Sequence, residues 1–142
     1  MLIDRHLYHY RKRPESVSDS CRPDLPKLWK RLFAEMNRVI RDNGLGKEYK
    51  EALKNRIALS ILGIGLNELS NKEHSFPRHI KEIHLYINEK LYHKCAIQIK
   101  TEYTPAIWKV LIISARHRWS VLTSLLLYGI KTGVRFKRGR NK

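Results

Sequence analysis

The chain has few of the features that mark disulfide-bonded, metal-binding or secreted proteins. Its two cysteines, Cys21 and Cys95, lie far apart without CxxC spacing, so we expect free thiols in a reducing compartment. The sequence also has no glycine-rich phosphate loop and no Asp-x-Asp pair. No apolar run reaches the roughly 20 residues of a membrane-spanning helix. Asp4 and Arg5 interrupt the start before a signal-peptide core could form.

Acidic residues are scarce, and none follows Glu102. Against 13 Asp and Glu stand 29 Lys and Arg, which give a formal net charge of +16. This charge predicts attraction to nucleic acid, to an anionic lipid surface or to a phosphate-bearing substrate. The length of 142 residues fits one compact domain or a piece of a larger one.

Hydrophobic periodicity predicts a mainly α fold: a small helical bundle of five or six helices with a short N-terminal extended segment. Asp24 is expected to cap the first helix and Asn43-Gly44 to end it, while Pro77 lies in the first turn of the third. The predicted helices span 24–42, 47–70, 77–92, 93–100, 105–116 and 119–136. We divide the chain into 1–23, a helical bundle over 24–103, and apolar-basic helices with a basic tail over 104–142.

The last predicted helix contains the apolar stretch WSVLTSLLLYGI, residues 119–130. Ser120, Ser124, Lys131 and Arg135 share one side of it, and tryptophan and tyrosine favour the lipid interface. An amphipathic segment between cations is typical of a helix lying in the headgroup region of an anionic membrane. The residues predicted to lie at the membrane surface are Trp119, Leu122, Leu126, Tyr128, Lys131, Arg135, Lys137 and Arg138. The alternative is a core helix followed by a solvated basic tail.

Four histidines, His74, His79, His84 and His93, show no repeated metal-ligand spacing. His79 and His84 are five residues apart, which does not place them on one face of a helix. We therefore expect no metal site among them.

The phrase HYRKRPESVSDS, residues 9–20, is the most distinctive motif of the chain. With the preceding IDRHLYHYR, it resembles the end of the catalytic domain of bacterial family 2 glycosyltransferases of the capsular and exopolysaccharide type. In that family a Tyr-Arg pair, a basic loop and Ser-x-Ser follow one another, as do Tyr10-Arg11, Lys12-Arg13-Pro14 and Ser16-Val17-Ser18 here. The segments NRIALSILGIGLNEL and ARHRWSVLTSLLLYGIKTG are similar to the helical tail of those enzymes.

The resemblance implies cell-surface polysaccharide synthesis, with transfer of a hexose from a nucleotide-sugar to a lipid-linked acceptor. It makes residues 1–23 the end of a catalytic domain. It also implies a peripheral location at the cytoplasmic face of the plasma membrane. An arginine fork suits a diphosphate leaving group. The implied diphosphate-binding residues in an intact relative are His9, Arg11, Arg13, Ser16 and Ser18.

The chain departs from that family in its missing carboxylates. The nucleotide-sugar-binding domain, with its metal-binding aspartates and general base, is not found in these 142 residues. The Mg²⁺ or Mn²⁺ implied for the intact family is therefore not expected here. We predict no catalytic residue, and a C-terminal region that is inactive alone.

Two other functions are consistent with the sequence. A small basic helical protein could bind nucleic acid, with strongly salt-dependent affinity. No nucleic-acid-reading motif is evident, however, and the richest basic tract adjoins the most apolar segment. The other possibility is a membrane-surface module without chemistry of its own.

Overall fold

The computed structural model describes residues 20–102 and 104–140, with side chains up to residue 133. Those ranges contain six helices and no strand, so the predicted mainly α fold is confirmed. The predicted N-terminal extended segment lies outside them. The helices are α1 Leu25–Asp42, α2 Lys47–Glu68, α3 Phe76–Asn88, α4 Lys90–Gln98, α5 Ala106–Arg116 and α6 Ser120–Arg140.

Helix α2 lies at the centre of the bundle and contacts each of the other five helices. Its middle is apolar nearly all round, and its buried apolar residues are Leu53, Ile57, Ala58, Ile61, Leu62 and Ile64. A helix that is apolar on every side gains from neighbours on every side, because each exposed face would leave hydrocarbon in water. The other five helices therefore pack around α2.

Two glycines of α2 allow this close packing. A Cβ on Gly63 would lie 2.5 Å from the indole of Trp29 on α1. A Cβ on Gly65 would collide with the side chain of Leu127 on α6, which is fully buried. Glycine is needed at both positions so that a large side chain can reach the helix backbone.

The end of α1 is a Schellman motif centred on Gly44, as the Asn43-Gly44 pair predicts. Gly44 has a φ of +60°, which costs glycine little. Its N–H donates to the carbonyl of Arg41 at 3.1 Å, and the N–H of Leu45 donates to Ile40 at 2.9 Å. At the other end, Asp24 occupies the N-cap position, but its side chain makes no capping bond.

One hydrophobic core joins all six helices. The segments 24–103 and 104–142 both contribute to it; Leu111, Ile112, Ala115 and Leu127 come from the second. Cys95 on α4 is also buried there, and this burial raises the pKa of its thiol.

Tyr92 on α4 is the largest fully buried side chain of the described part of the molecule. Its hydroxyl has no hydrogen-bond partner within that part. Burial, reinforced by the negative charge of Glu89, raises its pKa to about 12. A buried hydroxyl without a partner is a cost to the folded state.

We expect Gly65→Ala and Gly129→Ala to change stability in opposite directions. At Gly65 the added methyl meets buried Leu127, and overpacking costs about 1–3 kcal/mol, more than the ~1 kcal/mol that alanine gains in helix propensity. Gly129 is exposed on α6 with nothing within 4 Å of a Cβ, so only the propensity gain remains. Urea denaturation measures both changes. Equal shifts in the same direction would contradict the packing of α6 on α2.

We expect the free energy of unfolding to fall as pH rises from about 10 towards 12. The unfolded chain ionises Tyr92 near its ordinary pKa of 10, whereas the folded chain keeps the phenol neutral until about 12. Tyr92→Phe should make the fall shallower and should leave stability at pH 7 unchanged or higher, because it removes a buried unpaired hydroxyl. Urea unfolding across this pH range measures the slope. Identical slopes in the two proteins would exclude Tyr92 as a source.

Candidate functional site

Helix α6 turns apolar side chains towards solvent. Val121, Leu122, Leu125 and Tyr128 recur at helical spacing on one face, and Leu125 and Tyr128 are 51% and 52% exposed. Leaving large apolar side chains in water forgoes the gain of burial. Clustered residues of this kind mark an interaction surface more often than scattered single ones do.

The opposite side of α6 carries hydroxyl groups into the interior. Thr123 and Ser124 are fully buried, and the Thr123 hydroxyl lies 2.9 Å from that of Ser114 on α5. Ser124 donates to the carbonyl of Ser120 at 2.7 Å, and the Ser120 hydroxyl lies 2.6 Å from Nδ1 of His84. Small hydroxyl residues allow close approach of two helices and satisfy one another, as in helix pairs within membranes.

Helix α5 and the α5–α6 turn also carry exposed apolar side chains. Ile107, Val110 and Ile113 are spaced by three along α5, and each is at least 40% exposed. Trp119 is exposed in the turn and stacks on His117, with ring centroids 5.0 Å apart. We call the following set the outer face: Ile107, Val110, Ile113, Trp119, Val121, Leu122, Leu125 and Tyr128.

Arg118 occupies a left-handed backbone position in this turn, with a φ of +58°. The N–H of Arg118 donates to Ala115 at 3.1 Å and the N–H of Trp119 to Ser114 at 2.9 Å. This is the same Schellman geometry that Gly44 adopts at the end of α1. A residue with a Cβ costs about 1 kcal/mol more there than glycine does. The exposed cation is therefore kept at a position where glycine would be more stable.

Two other cations of this region hold the fold together. The Arg116 guanidinium donates to the carbonyl of Ala96 at 2.5 Å and to that of Ile99, at the C-terminal end of α4. The ammonium of Lys131 donates to the carbonyl of Leu69, at the end of α2. Both place positive charge at the negative end of a helix dipole.

The structure separates the predicted membrane-surface residues. Trp119, Leu122 and Tyr128 are exposed, whereas Leu126 is partly buried against the core. Arg135, Lys137 and Arg138 lie on the helical backbone of α6, beyond residue 133, where the structure describes no side chains. The predicted diphosphate-binding residues His9, Arg11, Arg13, Ser16 and Ser18 also lie outside the described residues.

A second exposed apolar surface runs along α1. Leu28, Leu32, Met36 and Val39 are each at least 38% exposed, although their spacing predicts a core-facing stripe. An open groove of about 550 Å³ lies between α1 and α2. Glu35 and Arg56 both line it, and Glu35 pairs with Arg38 at 2.9 Å. This surface is therefore mixed in charge.

A carboxylate and two histidines converge at the end of α2. Oε1 of Glu68 lies 2.6 Å from Nδ1 of His74 and 2.9 Å from Nδ1 of His79. Glu68 is the last residue of α2, His74 lies in the following loop, and His79 is in the first turns of α3. The three ligand atoms all lie within 4.8 Å of one another. Sequence spacing did not indicate this cluster, because its members meet only through the relative placement of α2, α3 and the loop between them.

The remaining two histidines of the sequence prediction lie elsewhere. His84 contacts Ser120 and its own-helix neighbour Asn88. His93 keeps its Nδ1 buried without a hydrogen-bond partner among described residues. Burial lowers the pKa of His93, and the positive charge of Arg118 lowers it further.

Comparisons with protein-family models, curated proteins and solved structures gave no match. Within the described ranges, no helix has both the length and the hydropathy to cross a bilayer. The functional argument therefore depends on the geometry above and on the sequence motif.

We expect Arg116→Lys to lower the free energy of unfolding by about 1–2 kcal/mol. Lysine replaces a planar fork that serves two carbonyls with a single ammonium group. Arg118→Lys is the matched control: Arg118 is exposed, and lysine keeps both the charge and the backbone strain, so stability should stay within about 0.5 kcal/mol. Chemical denaturation of the two variants makes the comparison. An Arg116→Lys protein as stable as the unaltered chain would show that the two hydrogen bonds from Arg116 to the end of α4 are dispensable.

Proposed function

We propose that this chain is a helical module that attaches to anionic membrane surfaces through the outer face. The observation that carries the proposal is the orientation of α6, which buries Thr123 and Ser124 and exposes Leu125 and Tyr128. In water alone, the opposite orientation would bury more hydrocarbon. A lipid interface removes that cost, because the exposed side chains then enter the acyl boundary.

The residue types of the outer face fit a membrane surface. Trp119 and Tyr128 combine an apolar ring with a polar group, and such side chains concentrate at the headgroup level. The aliphatic residues of α5 and α6 supply the hydrocarbon that partitions into the acyl boundary. Attachment of this kind lays the two helices on the membrane without requiring either of them to span it.

Charge distinguishes the outer face from the apolar stripe of α1. No acidic residue follows Glu102 in the sequence, so the helices carrying the outer face contribute only positive charge. The α1 surface includes Glu35, whose carboxylate pairs with Arg38, so its charge is mixed rather than uniformly positive. Exposed Arg118 adds a cation beside Trp119, and each such cation contributes about 1 kcal/mol at an anionic surface.

The proposal includes the enzyme family that the sequence resembles. The motif at residues 9–18 supports a C-terminal region of a family 2 glycosyltransferase, and membrane attachment would hold such an enzyme near a lipid-linked acceptor. A nucleotide-sugar donor and its divalent metal would then be bound outside this chain. Hydrolysis or transfer of a nucleotide-sugar by the purified chain alone would contradict this assignment.

We expect Leu125→Glu to weaken binding to anionic vesicles about tenfold or more, whereas Leu32→Glu leaves it nearly unchanged. The two leucines are equally exposed, 51% and 50%, but only Leu125 belongs to the outer face. Flotation with vesicles of phosphatidylcholine and phosphatidylglycerol measures the binding. Vesicles of phosphatidylcholine alone should bind the unaltered chain weakly, because the electrostatic contribution is lost. Equal loss in both variants, or no flotation at all, would remove the membrane assignment.

Arg118→Gly should change stability and vesicle binding in opposite directions. Urea denaturation measures the stability, and the same flotation assay measures the binding. Glycine relieves the backbone strain, so the variant should be at least as stable, while losing one cation should weaken anionic-vesicle binding about fivefold.

A titration with duplex DNA over a range of salt concentrations tests the alternative function. DNA binding that Leu125→Glu leaves intact, combined with no flotation, would favour a nucleic-acid-binding protein instead.

A further inference from the structure

We propose that Glu68, His74 and His79 bind one Zn²⁺ ion. This inference is independent of the membrane proposal, because none of the three residues belongs to the outer face. It concerns three side chains that come from α2, the α2–α3 loop and α3, and that meet at one point.

The arrangement of the donor atoms is close to that of a coordination site. Both Nδ1 atoms approach the same carboxylate oxygen, at 2.6 and 2.9 Å. Ligand atoms about 2.0–2.2 Å from a tetrahedral zinc ion lie roughly 3.3 Å from one another. Each nitrogen therefore needs to move away from the carboxylate oxygen by less than about 1 Å, and the two nitrogens already lie within 4.8 Å of each other. Zinc would replace the two shared hydrogen bonds.

The types of ligand select the metal. Two imidazoles and one carboxylate form a mixed nitrogen and oxygen set that suits Zn²⁺ and leaves a fourth position open. Mg²⁺ and Ca²⁺ prefer oxygen ligands throughout, so neither fits this site. Binding requires both Nδ1 atoms to be unprotonated, so each neutral imidazole would carry its proton on Nε2.

Two features of the surroundings attract a cation, against the positive charge of Lys131, whose ammonium binds the carbonyl of Leu69. Glu68 is the only buried carboxylate among the residues whose burial is described. It is also the last residue of α2, where the helix dipole is negative. Its side chain is only 9% exposed, and those of His79 and His74 are 10% and 16% exposed. The attraction between an ion here and the Glu68 carboxylate would be screened only weakly by water.

Cys21 provides a reporter next to the site. The side chain of Asn67 pins the neighbouring residue Arg22 to the end of α2, with bonds of 2.8 and 3.0 Å to its backbone. Burial raises the pKa of the Cys21 thiol, and the negative charge of Glu68 raises it further. A bound Zn²⁺ would reverse the electrostatic effect of Glu68 and favour the thiolate. Cys21 is also a candidate for the fourth ligand, because its thiol is close enough to respond to the charge of Glu68.

The test is titration of the full chain, stripped of metal and without an affinity tag, with Zn²⁺ and with Co²⁺. Calorimetry should give one ion per chain, and Zn²⁺ should raise the melting temperature. Glu68→Gln and His74→Gln should each weaken Zn²⁺ binding about 100-fold or more. His84→Gln is the matched control, because His84 contacts Ser120 rather than the cluster.

Two spectroscopic readouts do not depend on any activity. Bound Co²⁺ should show the intense visible bands of a tetrahedral site, and a sulfur-to-metal charge-transfer band would identify Cys21 as the fourth ligand; this band should vanish in Cys21→Ser. Without the band, water completes the site and the three-residue proposal stands.

The proposal fails if the unaltered chain shows no saturable Zn²⁺ binding, since the cluster would then be a hydrogen-bonded one only. It also fails if His84→Gln weakens binding as much as His74→Gln does. His74 lies in a loop and is only partly buried, so His74→Gln should fold, and circular dichroism of the variant confirms this before titration.

Discussion

Close approach of Leu127 to the backbone of α2 at Gly65 determines which way α6 faces. Once Leu127 is inserted there, helical geometry turns Thr123 and Ser124 inward with it and turns Val121, Leu125 and Tyr128 outward. The buried hydroxyls find partners on α5 and within α6, so this orientation leaves none of them unsatisfied. The outer face is therefore a consequence of how the centre of the bundle is packed.

Polar contacts at the C-terminal end of α2 connect several parts of the chain. Asn67 holds the chain entering α1, Glu68 receives both histidines, and the carbonyl of Leu69 accepts from Lys131 on α6. Four parts of the molecule are thus tied to one helix end, where orphan carbonyls and a negative dipole favour donors and cations. The same physical preference explains the lysine and the candidate metal site.

Local patterns predicted the helices well and their environment poorly. The number of helices and the Asn43-Gly44 end of α1 follow from periodicity and turn chemistry, which act over a few residues, although α3 ends at Asn88 rather than at residue 92. The stripe of α1 was expected to face the core, yet Leu32 and Val39 remain exposed, because no helix of the described chain covers them. Val121 and Leu125 were not identified as surface residues, because a helical wheel does not show which side meets α2.

The histidine cluster shows a different limit of sequence reasoning. Glu68, His74 and His79 are separated by six and five residues, which match no periodic spacing, and only the angle between α2 and α3 brings them together. In the sequence Arg118 is one cation among many, and its left-handed backbone depends on the turn between α5 and α6. Both features depend on how the helices pack against one another, so local sequence patterns do not predict them.

The different accessibility of the two cysteines allows local opening of the bundle to be measured by thiol alkylation. Cys21 is partly accessible, whereas Cys95 is on the buried side of α4, and its burial raises the pKa of the thiol. An alkylating reagent should therefore consume Cys21 first and reach Cys95 only when α4 detaches, so the slower rate counts openings of that helix. Comparing this rate in free and vesicle-bound protein would show whether a lipid surface restrains the bundle or loosens it.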